Sequence, residues 1–226
     1  MRGARPLHVF YGGTFDPVHD GHVAVALAAR DMLDADIHVM PTADPPHRDP
    51  PGASARARAD MLRLAIAGKP GLILDLREVE RGGRSWSVDT LQALRAQLGP
   101  DAAIAWLVGA DSFRGLDTWK SWETLFDLTH FVVAGRAGHP IRDGLPEPLQ
   151  DALQGRWVTT PADLRASPTG RVLALEQALH AHSATDVRAR IAAGLPWRDR
   201  VPPAVAAYII RHRLYGVAGA APVIGS

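Results

Sequence analysis

The chain is 226 residues long, enough for one large domain that buries roughly 70% of its unfolded surface without covalent staples. Cys 0 excludes disulfides and thiol chemistry, and Lys+Arg 25 against Asp+Glu 24 leaves no basic excess for a nucleic-acid surface. No apolar run approaches the ~20 residues of a membrane span, and the run after the basic Met1–Pro6 start is too short for a signal peptide, so a cytoplasmic protein without a membrane partner is expected.

Leu7 to Tyr11 reads as a strand, and Val23 to Leu33 as an alanine-rich helix. Between them lies Gly12-Gly13-Thr14-Phe15-Asp16-Pro17-Val18-His19-Asp20-Gly21-His22. A strand, a glycine loop and a helix start in succession form a usual site for a bound phosphate. Gly12 and Gly13 let backbone N–H groups approach an anion, and His19 and His22, three apart, can point at one spot. Taken singly these fragments are weak: Gly-Gly is commonly a plain turn, and His-x-x-His is half a metal site with no third ligand nearby.

Ile37 to Met40 is the second strand, followed by a stiff proline loop from Pro41 to Arg48. Arg56 to Ala67 has helical spacing, Leu72 to Leu76 is a third strand, and Arg77 to Arg84 reads as a charged loop. Ser85-Trp86-Ser87-Val88-Asp89-Thr90-Leu91 opens a helix to about Leu98, its hydroxyls and carboxylate fitting an N-cap. Ala103 to Val108 is continuously apolar, a buried parallel strand that delivers Asp111 just past its C-terminal end. Trp119 and Trp122 lie on a polar helical segment, and either could be a core anchor. Phe131 to Arg136 is a further strand, and Arg171 to Leu175 a last one. The Gly138–Gly170 stretch, rich in Pro and Gly, carries no functional expectation. Ser183 and Asp186 make a capping box, and a helix opens at Val201-Pro202-Pro203 and runs to His212. Strands alternating with helices predict an α/β fold with a doubly wound, mostly parallel, Rossmann-like sheet. Residues 1–216 are expected as one domain, with a frayed tail over 217–226.

Several of these strings together are more specific than any alone. The Gly12–His22 string resembles the T/H-x-G-H signature of the nucleotidylyltransferase superfamily, in the form found in the nicotinate/nicotinamide mononucleotide adenylyltransferases. The Pro45-Pro46-His47-Arg48 loop, the Ser85–Leu91 string, the Gly109–Trp119 pattern, His182-Ser183-Ala184-Thr185-Asp186-Val187-Arg188 (with His182 where the family has an apolar residue) and the Val201–Gly216 ending are similar to elements of the same family, so the resemblance covers nearly the whole chain.

That resemblance implies adenylyl transfer from Mg²⁺-ATP to nicotinate mononucleotide, with pyrophosphate released. It implies that His19 and His22 are catalytic. Gly12, Gly13, Thr14, Phe15, Asp111, Arg136, Ser183, Thr185 and Arg188 would hold ATP, with Mg²⁺ carried by its phosphates. Asp16, Arg48, Thr90 and Trp119 would hold the mononucleotide, with Trp119 stacked on the pyridine and Arg48 reaching phosphate. Thr90 as a cap and Thr90 as a ligand are compatible readings, Asp111 fits a cap as well as the nucleotide, and Trp122 or Trp86 could replace Trp119. Two rivals stand beside this reading. One is a related small nucleotidylyltransferase such as phosphopantetheine adenylyltransferase, which lacks the Trp119 element and the proline loop. The other is a non-catalytic nucleotide sensor on the same fold.

Overall fold

The computed structural model describes residues 5–45, 51–136, 141–177 and 183–217, without the side chains of Arg136 and Gln177. Arg48, His182 and residues 218–226 of the expected tail lie outside the described residues.

In chain order the elements are β1 (Leu7–Gly13), α1 (Asp20–Leu33), β2 (Ile37–Pro41), α2 (Ala55–Ile66), β3 (Leu72–Leu74), α3 (Arg77–Arg81) and α4 (Ser87–Leu98). They continue with β4 (Ala103–Gly109), α5 (Ala110–Arg114), α6 (Trp122–Leu128), β5 (His130–Arg136), α7 (Glu147–Ala152), β6 (Trp157–Val158) and α8 (Pro161–Ala166). The chain closes with β7 (Val172–Gln177), α9 (Ala184–Ala192), α10 (Pro203–Arg211) and a 3₁₀ turn over Leu214–Gly216.

The strands form one seven-stranded sheet in the order β3-β2-β1-β4-β5-β7-β6, and every pairing is parallel. The order reverses between β1 and β4. Open α/β sheets bind ligands beyond the strand ends at such a switch point.

Strand periodicity divides the apolar residues between two cores. Val9, Tyr11, Ala105 and Leu107 face one side, where α1, α2, α9 and α10 contribute Ala26, Leu62, Val187 and Ile209. Phe10, Ile104, Trp106 and Val108 face the other, with Leu91, Phe113, Phe126 and Leu149. A sheet covered on both faces explains why β4 is apolar without alternation.

Four local readings change. Arg77–Arg81 is a short helix instead of a loop, because Gly82 closes it with a positive φ of 68° and an N–H bond to the Glu78 carbonyl. The side-chain cap expected from the Ser85–Thr90 hydroxyls and carboxylate does not form: Trp86 is the N-cap, with no side-chain capping bond, and Ser85 and Thr90 serve other partners. Only half of the capping box at Ser183 is made. Its Oγ accepts from Asp186 N at 3.1 Å, whereas Asp186 turns its carboxylate to Arg190 and Arg200. The proline-rich stretch supplies β6, a two-residue edge strand missed because two residues show no period.

Candidate active site

The C-terminal end of β1, next to β4 in the sheet, delivers the loop that carries the paired histidines. β1 runs through Gly12 and Gly13, paired with Met40 and Pro41 of β2, so both glycines are strand residues before the chain turns. Their small size is set by aromatic neighbours. A Cβ on Gly12 would lie 2.7 Å from the Trp106 ring, and one on Gly13 would lie 2.9 Å from the Phe15 ring. Phe15 itself is buried, with a φ of 50°.

His19 is the N-cap of α1 and is 6% exposed. Its N–H donates to His22 Nδ1 at 3.3 Å, and the two imidazoles stack with centroids 3.7 Å apart. The helix start and this stacking bring both expected histidines to one place. An Nδ1 that accepts leaves neutral His22 with its proton on Nε2, where it is a donor. Phe15 packs edge-on against His22 at 5.0 Å and fixes the ring from another side.

Asp16 is nearly enclosed, and its carboxylate serves the protein. Oδ1 accepts from Ala53 N at 3.1 Å and from the Tyr215 hydroxyl at 2.7 Å, and Oδ2 accepts from Gly52 N at 2.8 Å. Arg188 donates through Nη1 to the Asp16 carbonyl at 2.6 Å, with its Nη2 3.4 Å from Thr185 Oγ1. α9 thus places Arg188 and Thr185 against the β1–α1 loop, and exposed Ser183 caps the same helix.

Two buried residues that the sequence reading passed over organise this edge. Arg58 of α2 is fully enclosed and donates to the carbonyls of Ala53 at 3.2 Å, Thr14 at 2.7 Å and Ala43 at 2.8 Å. Burial pulls its pKa down, and the Asp16 carboxylate supports its charge. Its signal was positional, since Arg58 lies on the same helical stripe as Met61, Leu62 and Ala65. Glu78, 3% exposed, accepts from Thr90 Oγ1 at 2.6 Å. Burial raises its pKa, against the opposing hydrogen bonds of Thr90 and Ser85.

The Thr90 hydroxyl is therefore engaged below the surface, where it also accepts from Arg81 at 3.0 Å. Ser85 Oγ accepts from Ala43 N at 2.9 Å and joins the loop after β2 to the start of α4. Lys120 pairs with Asp89 at 3.0 Å and lies 5.5 Å from the Trp86 ring centroid. Trp86, Trp119 and Trp122 are all partly buried against the second core, as anchors with an accessible side. Asp111 sits at the C-terminal end of β4 with a side chain 93% exposed, 3.0 Å from Arg114. Arg136 ends β5, two strands from β1.

Residues 10–190 match the cytidylyltransferase-like family model. The probable nicotinate-nucleotide adenylyltransferase of Stenotrophomonas maltophilia is 54% identical, over 92% of this chain and 96% of that protein. The Xylella fastidiosa protein of the same description is 48% identical, over 93% and 97%. Among solved structures, Plasmodium falciparum nicotinic acid mononucleotide adenylyltransferase complexed with NaAD has the same fold, with a TM-score of 0.69 and 16% identity, covering 94% of this chain and 98% of that one. A match to most of the chain, with relatives this similar over nearly their whole length, places it: the chain belongs to the cytidylyltransferase-like family and, within it, to the nicotinate-nucleotide adenylyltransferases.

Proposed function

We propose that this enzyme transfers the adenylyl group of ATP to nicotinate mononucleotide, forming nicotinate adenine dinucleotide and pyrophosphate. The stacked His19–His22 pair at the start of α1, beside the switch point of the sheet, is the observation that carries the reading. A 5′-phosphate oxygen of the mononucleotide attacks the α-phosphorus of ATP. The new P–O bond forms as the bond to the β-phosphate oxygen breaks, and pyrophosphate takes the electron pair. The attacking group is already an anion, so no general base is required. Catalysis consists of aligning two phosphates and offsetting their repulsion.

The residues divide by what they offer. His22 Nε2–H, His19 and the backbone from Gly12 to Phe15 donate toward the α- and β-phosphates. Ser183, Thr185 and Arg188 at the start of α9 complete the ATP side, with Asp111 and Arg136 on the ends of β4 and β5. Arg48, outside the described residues, is assigned to the mononucleotide phosphate by the family resemblance, and Trp119 to stacking on the pyridine. Asp16 and Thr90, whose side chains are engaged by protein donors, shape the mononucleotide side from below. Mg²⁺, bound with ATP and held by its phosphates and water, would supply positive charge that offsets the phosphate repulsion. Among the described residues no group of three or more His, Cys, Asp or Glu could hold a metal. No helix among the described residues is long and apolar enough to cross a membrane, and we place the enzyme with its nucleotide substrates in the cytoplasm.

The test is direct. Purified protein with Mg²⁺-ATP and nicotinate mononucleotide should release pyrophosphate and form the dinucleotide. Turnover of phosphopantetheine but not of the mononucleotide, or nucleotide binding without pyrophosphate release, overturns the reading.

A further inference from the structure

The 3₁₀ turn that ends the described chain reaches back to the catalytic loop. The Tyr215 hydroxyl donates to Asp16 Oδ1 at 2.7 Å, a contact between residues 199 apart in sequence. Burial and the Asp16 charge both keep that hydroxyl protonated, so it remains a donor throughout the working range. Asp16 is 4% exposed; its other hydrogen-bond donors are the Gly52 and Ala53 N–H groups, and Arg188 Nη1 forms an ion pair with Oδ2 at 3.7 Å. The backbone around this carboxylate is unusual on both sides. Phe15 has φ 50°, Arg213 φ 51° and Tyr215 φ 59°, a left-handed region that aromatic and other Cβ-bearing residues rarely enter. Such conformations persist where surrounding contacts over-determine them. Here Phe15 precedes the residue whose carboxylate Tyr215 binds, and Arg213 opens the turn that carries Tyr215. The seat is also close-packed, for a Cβ on Gly52 would lie 3.0 Å from Tyr215 Cδ1 and 3.6 Å from Arg188 Cδ.

We propose that Tyr215 is a positioning residue for adenylyl transfer: through Asp16 it holds the β1–α1 loop, and with it the backbone donors and His19, in the geometry the transition state needs. The inference rests on the function proposed above and gives the C-terminal turn a part in that site. Asp16 lies three residues before His19 and one after Phe15, so a shift of its carboxylate moves the backbone on both sides. Misplacing catalytic groups by about 1 Å costs rate far more than it costs binding.

Tyr215→Phe removes one hydroxyl and keeps the ring against Gly52. Its kcat should fall about tenfold, the scale of losing one hydrogen bond to a charged acceptor. KM for ATP and for the mononucleotide should stay within about threefold, and Tm within about 5 °C. Tyr208→Phe makes the same chemical change on α10, where the hydroxyl lies 3.3 Å from Asp60, and should leave kcat unaltered. In an Asp16→Asn background, Tyr215→Phe should lower kcat by no more than about twofold, because its route through the carboxylate is already weakened. Unchanged kcat in Tyr215→Phe, or an undiminished effect in the Asp16→Asn background, overturns the proposal. Amide hydrogen exchange without substrate separates this failure from failure of the assigned reaction. Tyr215→Phe should speed exchange at Phe15, Asp16, Gly52 and Ala53 while β4 stays protected, and equal rates at those four would refute the clasp even if the true substrates were others.

Discussion

Arg58 donates to the Thr14 carbonyl at 2.7 Å from a helix position with no solvent exposure. The same guanidinium holds Ala43 in the loop after β2 and Ala53 before α2, so one planar fork joins three segments that approach the site separately. Lysine carries the charge, but its three donors sit on one compact nitrogen and cannot span the three segments that the guanidinium joins. Arg58→Lys should leave buried carbonyls unsatisfied and lower stability by about 3 kcal/mol in urea unfolding. KM should rise for both substrates, because both loops loosen. A variant as stable as the native protein would show these contacts to be idle.

His22 contributes a cap as well as a donor. His22→Ala should lower kcat by on the order of 10²–10³, the scale of losing one transition-state donor. It should cost only about 1 kcal/mol of stability, the usual effect of losing a cap interaction. His22→Asn tests the separation, since its amide oxygen can accept from His19 N–H. Stability should return toward the native value while kcat stays low. Near-normal kcat in either variant would remove His22 from the chemistry.

Stacking on an aromatic is worth ~1–3 kcal/mol, so Trp119→Ala should raise KM for the mononucleotide by roughly 5–150-fold and leave KM for ATP little changed. Trp86 is the natural comparison, because its ring already carries Lys120. A larger effect from Trp86→Ala would transfer the stacking role to that residue. The native enzyme should also favour the acid over the amide mononucleotide. N–H donors read a carboxylate everywhere, whereas an amide presents its own NH₂ to one of them. Equal kcat/KM for the two would refute the selectivity.

His130 provides a pH prediction away from the site. It is fully buried, accepts from Arg171 N at Nδ1 and donates from Nε2 to the Ser167 carbonyl. Burial pulls its pKa down from the ordinary imidazole value of 6.5 to about 4. Between those values the unfolded chain binds a proton that the folded chain refuses, so stability falls as pH drops from 6.5 toward 4. A shift of this size corresponds to about 3 kcal/mol. His130→Asn should be less stable at neutral pH but show a flatter loss across that window in denaturant unfolding. An equally steep loss in the variant would assign acid sensitivity to other groups.

The sequence by itself determined the α/β class, six of the seven strands and the string that carries the paired histidines. Each depends on short-range physics: continuous apolar runs for buried strands, the 3.6-residue period for helices, and an N-cap three residues from its partner. Only the tertiary structure decided which groups meet over long separations. Asp16 reads from sequence as a ligand, but contacts with residues 36, 37 and 199 positions away make it the centre of a protein network. Thr90 reads as a cap or a ligand, and the buried Glu78 takes its hydroxyl. Asp186 reads as half of a capping box, and Arg200, brought near by the turn before α10, draws its carboxylate away. A polar side chain bonds to whichever partner the fold presents at closest range. Sequence spacing reveals that partner only when it lies within a turn of helix.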